Sequence, residues 1–160
     1  MGMRVGIGRD LHRLVAGRCL LLGGVEVESA VGCLAHSDGD CLVHSVIDSM
    51  LGALAEPNIG QMFPDTDEKN RSRSSMEMLA VVVDRAAALG YRVHNVDVVI
   101  ILERPKLNSK ILEMRKKLAL HMRTDLSQIS IKATTNEGIG PIGNGECIEC
   151  LSVCLFESLP

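Results

Sequence analysis

The chain has 160 residues, a formal net charge of −3 and an apolar fraction of 46%. A domain of that length buries about two thirds of its unfolded surface, so it needs neither disulfides nor a structural metal to fold, and any metal site is free to be catalytic. Its basic residues are scattered, with the densest group at Arg115, Lys116 and Lys117, which argues against a nucleic-acid partner, and no apolar run approaches the roughly 20 residues of a membrane span.

Residues 3–10 read as a strand ending at Asp10, and residues 20–28 as a second strand bent at Gly23 and Gly24. Over residues 40–55, Val43, Val46, Ile47, Met50, Leu51 and Leu54 recur at helical spacing, with Ser37 or Asp38 available as N-cap and Pro57 as the stop. An exposed loop follows, polar as far as Ser75. Residues 75–89 predict a helix with Met76, Leu79, Val82, Val83, Ala86 and Leu89 on one side, closed by Gly90. Residues 96–102 are almost continuously apolar, which fits a strand covered on both faces or by a neighbouring subunit. Ile111, Leu112, Met114, Arg115, Leu118 and Met122 give a third helix, and residues 130–134 and 148–156 read as the last two strands.

This order lacks regular strand-helix-strand repetition. It predicts an α+β fold, a two-layer α/β sandwich on a mixed four-stranded sheet with a small N-terminal hairpin, rather than a doubly wound nucleotide-binding fold. No repeat or linker divides residues 1–160, so one domain is expected. Only Phe63, Tyr91 and Phe156 are aromatic, which leaves an aliphatic core and few platforms for stacking a base. The chain start has neither a signal-peptide pattern nor a myristoylation site, so a cytoplasmic protein without a membrane partner is expected.

Six cysteines are present, and Cys147-x-x-Cys150 has no second such pair to complete a structural zinc site. Free, mostly buried thiols are the expectation.

Asp10-x-His12 carries the first chemical signal. Residues two apart in a strand project to the same face, so both side chains can grip one ion, and His44 can reach it from a helix packed alongside. Two imidazoles and a carboxylate suit zinc or a similar divalent ion, and three protein ligands leave a position open for substrate. Asp40 and Asp48 lie four residues either side of His44 and so share its helical face, where they could orient the imidazole; Asp38 and Asp40 could equally be helix caps. His94 and His121 have no such company and read as surface or boundary residues.

Lys132-Ala133-Thr134-Thr135-Asn136-Glu137-Gly138-Ile139-Gly140 is the second. Hydroxyls, a carboxylate and free backbone N–H groups where a strand runs into a glycine-rich loop suit a phosphate chain carrying its own Mg²⁺, although the same residues are the ordinary vocabulary of a turn. Gly6-Ile7-Gly8 is too short to count as a nucleotide loop.

Taken in register, Gly-x-Gly-x-Asp10-x-His12, Leu-Leu-Gly23-Gly24-Val, Ala-His36-Ser37-Asp38-Gly39-Asp40-x-x-x-His44, Ile59-Gly60-x-x-Phe63-Pro64-Asp65-Thr66-Asp67, Asn95-Val96-Asp97, Pro105-Lys106 and Lys132-Ala133-Thr134-Thr135-x-Glu137-x-x-Gly140 resemble the 2-C-methyl-D-erythritol 2,4-cyclodiphosphate synthases over nearly the whole chain. The resemblance implies a homotrimer with interfacial active sites in the non-mevalonate route to isoprenoids. The implied substrate is 4-diphosphocytidyl-2-C-methyl-D-erythritol 2-phosphate, whose 2-phosphate attacks the β-phosphorus, closes the cyclodiphosphate and expels CMP. It further implies zinc at Asp10, His12 and His44, and Mg²⁺ or Mn²⁺ at Glu137. His36, Thr135 and Glu137 are the implied catalytic residues. Ser37, Asn58, Gly60 and Asp65 would contact the substrate, with Lys106, Leu107, Ala133 and Thr134 forming a cytidine pocket and Thr135 steadying the phosphates.

The chain also departs from that pattern. Asn58 stands where aspartate is usual, which predicts weaker substrate positioning. Arg9, Pro141, Asn144 and Cys147 replace residues that line the family's central cavity, and the missing arginine at Asn144 argues against isoprenoid diphosphates binding there. Two other readings are a weakened homologue that only binds nucleotides or isoprenoid diphosphates, and a zinc phosphohydrolase giving a linear product.

Overall fold

In a computed structural model of the chain, residues 2–64, 66–70 and 73–160 are described. Strand β1 (Met3–Ala16) outruns its apolar stretch because β7 (Cys147–Ser158) pairs with it antiparallel from Met3 to Arg13. The turn at Gly23 and Gly24 has φ of 60° and 71°, the left-handed pair that a tight hairpin requires. What reads as one bent strand is therefore a hairpin, β2 (Leu20–Leu22) against β3 (Val25–Val27).

Strand β4 (Val31–Cys33) is too short to show alternation in sequence, yet it pairs with the far end of β1, Leu14 opposite Cys33. With β5 (Tyr91–Ile101) and β6 (Ile129–Thr134), the main sheet has five strands in the order β4-β1-β7-β5-β6, one more than expected. Among the described residues only β5 and β6 pair in parallel, so the sheet is mixed, as expected.

Helices α1 (Cys41–Leu54), α3 (Ser75–Ala88) and α4 (Ile111–Met122) form the second layer. Two four-residue helices, α2 (Ile59–Met62) and α5 (Gly140–Gly143), lie in stretches read as loop. Neither Ser37 nor Asp38 caps α1. Asp40 does, its fully buried carboxylate accepting from Val43 N at 3.0 Å and also from Gly23 N at 2.9 Å and Gly24 N at 2.6 Å, so that it ties the hairpin turn to the helix start. Burial pushes this carboxyl up to about 6 against the pull of its three donors.

Gly6 and Gly8 explain how α1 meets the sheet. A β-carbon on Gly6 would lie 2.0 Å from Ser49 O, and one on Gly8 1.9 Å from Ser45 O. Helix backbone therefore rests on strand backbone with no side chain between them, and Ser152 reaches up from β7 to donate to Ser45 O.

Among the described residues nothing covers the opposite face of the sheet, which is apolar. Met3, Val5, Ile7, Leu11 and Val153 are all exposed there, interrupted by the ion pairs Arg9–Glu149 and Asp97–Lys132. In β5 the side chains of Val96, Val98 and Ile100 are buried, and Val99 and Ile101, which alternate with them, are only half-buried. All six cysteines are free, five of them buried and Cys19 exposed. Burial pushes the Cys33 and Cys154 thiols up to about 12, which keeps them protonated. No helix among the described residues is long and apolar enough to cross a membrane.

Candidate active site

Asp10 and His12 sit on the side of β1 that faces α1, in line with Gly6 and Gly8. The close approach over Gly8 brings His44, one residue before Ser45 on α1, against both of them. Three donor atoms converge: Asp10 Oδ2 lies 2.9 Å from His12 Nε2 and 3.1 Å from His44 Nδ1, and the two ring nitrogens are 3.3 Å apart. Among the described residues no other group of three histidine, cysteine or carboxylate side chains is so gathered. A carboxylate and two imidazole nitrogens aimed at one point are a donor set that fits a tetrahedral divalent ion with one position left open.

The electrostatics agree. Burial alone would raise the Asp10 carboxyl, but hydrogen bonds from His12 and His44 outweigh it and hold the group well below the usual carboxylate range. Burial alone would lower His44; the Asp10 hydrogen bond and charge prevail and raise it.

Asp40 and Asp48 do not orient His44 as their helical spacing suggests. Asp40 holds the hairpin turn, and Asp48 accepts from Ile59 N at 2.8 Å, fixing the start of α2. Two serines meet the imidazole instead. Ser75 Oγ lies 2.7 Å from His44 Nε2, and Ser37 Oγ lies 3.3 Å from the same nitrogen. His94, beside Glu157, and His121 are both half-exposed, as expected of boundary residues.

His12, His36, Ser37, His44 and Gly60 line one cavity of about 280 Å³, closed by Ile59, Phe63 and Met78. Asn58 stands just outside its lining and caps α2, accepting from Gln61 N at 3.0 Å. Asp65 lies outside the described residues.

Lys106, Leu107, Ala133, Thr134 and Thr135 line a second cavity of about 210 Å³ with Leu102 and Pro105. A wider cleft of about 1,020 Å³ adjoins it through Lys106 and Thr135, bounded by Glu28, Ser29 and Arg104. Glu137 is exposed beyond the end of β6 with φ 51°, and Thr135 Oγ1 donates to its Oε1 at 3.1 Å.

The two cavities share no residue. Asp10, Cys150, Ile100 and Ala133 stand opposite one another in four adjacent strands, so Asp10 and Ala133 occupy one row of the sheet. Three strand spacings separate them, about 14 Å. One chain thus presents a metal half-site and a loop-lined half-site side by side but apart.

The YgbB family model matches residues 3–157. A 2-C-methyl-D-erythritol 2,4-cyclodiphosphate synthase from Clostridium acetobutylicum is 47% identical over 154 residues, covering 96% of this chain and 99% of that protein. The bifunctional IspDF of Campylobacter jejuni superposes with a TM-score of 0.95 at 36% identity over 99% of this chain, which spans 43% of that longer protein. IspF from Plasmodium falciparum, in complex with CDP, superposes with a TM-score of 0.88 at 34% identity, covering 99% of this chain and 98% of its own.

Proposed function

The chain belongs to the YgbB family, that of the 2-C-methyl-D-erythritol 2,4-cyclodiphosphate synthases, and on that premise we propose how its residues divide the work. The enzyme serves the non-mevalonate route to isoprenoid precursors. It converts 4-diphosphocytidyl-2-C-methyl-D-erythritol 2-phosphate to the 2,4-cyclodiphosphate and CMP. A 2-phosphate oxygen bonds to the β-phosphorus as the bond from that phosphorus to the bridging oxygen breaks, and CMP departs with the bridging oxygen, so no water is consumed.

The observation that carries this reading is the convergence of Asp10, His12 and His44, the two histidines of which line one cavity with His36 and Ser37. Zinc held by these three residues, and Mg²⁺ or Mn²⁺ carried by the diphosphate and met by Glu137, would neutralise phosphate charge and align attacker with leaving group. The lone carboxylate of Glu137 suits an ion whose other ligands are phosphate and water. Thr135 donates its hydroxyl to a phosphate oxygen, and His36 and Ser37 flank the erythritol phosphate. Lys106, Leu107, Ala133 and Thr134 hold the cytidine through backbone groups and a lysine, in keeping with the CDP in the Plasmodium falciparum structure. Asn58, Gly60 and Asp65 hold the erythritol end.

A homotrimer with interfacial sites fits two features. Asp10 and Ala133, one from each half-site, stand three strands or about 14 Å apart on one chain, wider than a diphosphate, and the uncovered sheet face is apolar enough to bury against other copies. We take residues 1–160 as one synthase domain working in the cytoplasm.

Incubation with the diphosphocytidyl substrate and Mg²⁺ tests the reading. CMP release with a cyclic product by mass analysis is expected, and Asp10→Asn should abolish it; a linear product would mean hydrolysis and overturn the assignment.

A further inference from the structure

His44 has two ring nitrogens and only Nδ1 faces Asp10 and His12. A ligand nitrogen must offer a lone pair, so the proton of the neutral ring has to sit on Nε2. What lies beyond Nε2 decides whether that is so. Ser75 Oγ lies 2.7 Å from it, and the same hydroxyl contacts Asp38 Oδ1. Ser75 N also donates to Asp38 Oδ2, at 2.6 Å.

An ionised carboxylate accepts and never donates. The Ser75 hydroxyl therefore gives its hydrogen to Asp38 and turns a lone pair toward His44. Nε2 must then be the donor. We propose that Ser75, oriented by Asp38, is a positioning residue that fixes the His44 tautomer with Nδ1 bare and directed at the ion. The inference rests on reading Asp10, His12 and His44 as metal ligands.

The surroundings favour such a device. Ser75 is fully buried, so water does not compete for its hydroxyl, and His44 is buried too. Asp38 is anchored from a second side, accepting from Asp40 N at 3.2 Å. Ser37 Oγ, 3.3 Å from Nε2, is a second but longer contact, and Asp38 itself stands 3.9 Å from that nitrogen. The β4–α1 loop, the adjoining α1 and, from far along the chain, the first residue of α3 thus meet at one ring nitrogen.

Outer partners of this kind set the affinity of a metal site by about 10- to 100-fold. Zinc affinity should be measured by competition with a chromogenic chelator for the unaltered protein and for Ser75→Ala, Ser75→Thr, Asp38→Asn, Asp10→Ala and His12→Ala. Ser75→Ala should weaken zinc about 10- to 100-fold, Asp38→Asn should weaken it in the same direction, and Ser75→Thr, which keeps the hydroxyl, should restore most of the affinity. In the zinc-loaded protein the His44 Nε2–H should give a slowly exchanging imidazole NH resonance that is lost to solvent exchange in Ser75→Ala. A purely structural role would move neither reading. Unchanged affinity and an unchanged resonance in Ser75→Ala, while Asp10→Ala and His12→Ala lose zinc, would overturn the positioning role alone. Unchanged zinc binding in Asp10→Ala and His12→Ala would overturn the metal reading, and the inference with it.

Discussion

A β-carbon on Gly8 would stand 1.9 Å from the carbonyl oxygen of Ser45, the residue after His44. The metal half-site thus depends on an atom that is missing. Gly8→Ala is expected to push α1 off the sheet, costing about 3 kcal/mol of stability and separating His44 from Asp10. Gly2→Ala, where nothing lies within 4 Å, should change stability by less than about 0.5 kcal/mol. Chemical denaturation of both variants, read beside zinc affinity, checks this; a Gly8→Ala protein with full stability and affinity would refute it.

Interfacial sites predict complementation. An Asp10→Asn chain and a Glu137→Gln chain are each expected to be inactive, but mixed assemblies would join the intact metal half-site of one copy to the intact loop of another. Activity should return after subunit exchange. Mixed assemblies detected by native mass spectrometry without any return of CMP release would count against sites shared between copies.

Metal binding should be lost from the acid side earlier than an ordinary histidine site would suggest. His44 is raised above its usual value once Asp10 outweighs burial, and the ion needs its neutral form. Protons therefore begin to compete above pH 6.5, and affinity should fall about tenfold per pH unit below the folded-state value. Asp10 stays ionised throughout this range, because its own carboxyl is held low. The metal-free protein shows the reverse sign: the charged Asp10–His44 pair stabilises it fully below about pH 6.5, and that contribution fades as pH rises through the raised His44 value. Zinc titrations and metal-free melts from about pH 5.5 to about pH 8 test both signs; affinity that stays flat down to about pH 6 contradicts the first.

Asn58→Asp should improve catalysis without disturbing the fold. Aspartate can accept the Gln61 N–H as asparagine does, while its charge strengthens a hydrogen bond to a substrate hydroxyl by about 1 kcal/mol, roughly fivefold in kcat/KM. Unaltered steady-state kinetics would show that the charge is immaterial.

Local periodicity made the elements and the triad legible: a period of two put Asp10 and His12 on one face, and helical spacing marked α1, α3 and α4. It misled where long-range donors competed. Asp40 and Asp48 share the helical face of His44, yet their carboxylates are taken by backbone N–H groups of Gly23, Gly24 and Ile59, whose nearness no local pattern encodes. Ser75 was invisible for the same reason, being one serine in a polar stretch far along the chain from His44. In sequence, Gly6 and Gly8 read as part of the family pattern and as a loop motif too short to bind nucleotide; their role as the seat of α1 exists only in the packed molecule. Strand β4 is three residues long and owes its existence to the overhang of β1.

Asp40 gives the folded chain an unusual seam. Its one carboxylate receives amides from a hairpin turn and from a helix start, so peeling the hairpin away would leave an anion stranded in the interior. The hairpin therefore has no independent opening of its own. The amide protons of Gly23, Gly24 and Val43, far apart in sequence, should exchange with deuterium on a common clock, set by a single cooperative opening of both elements.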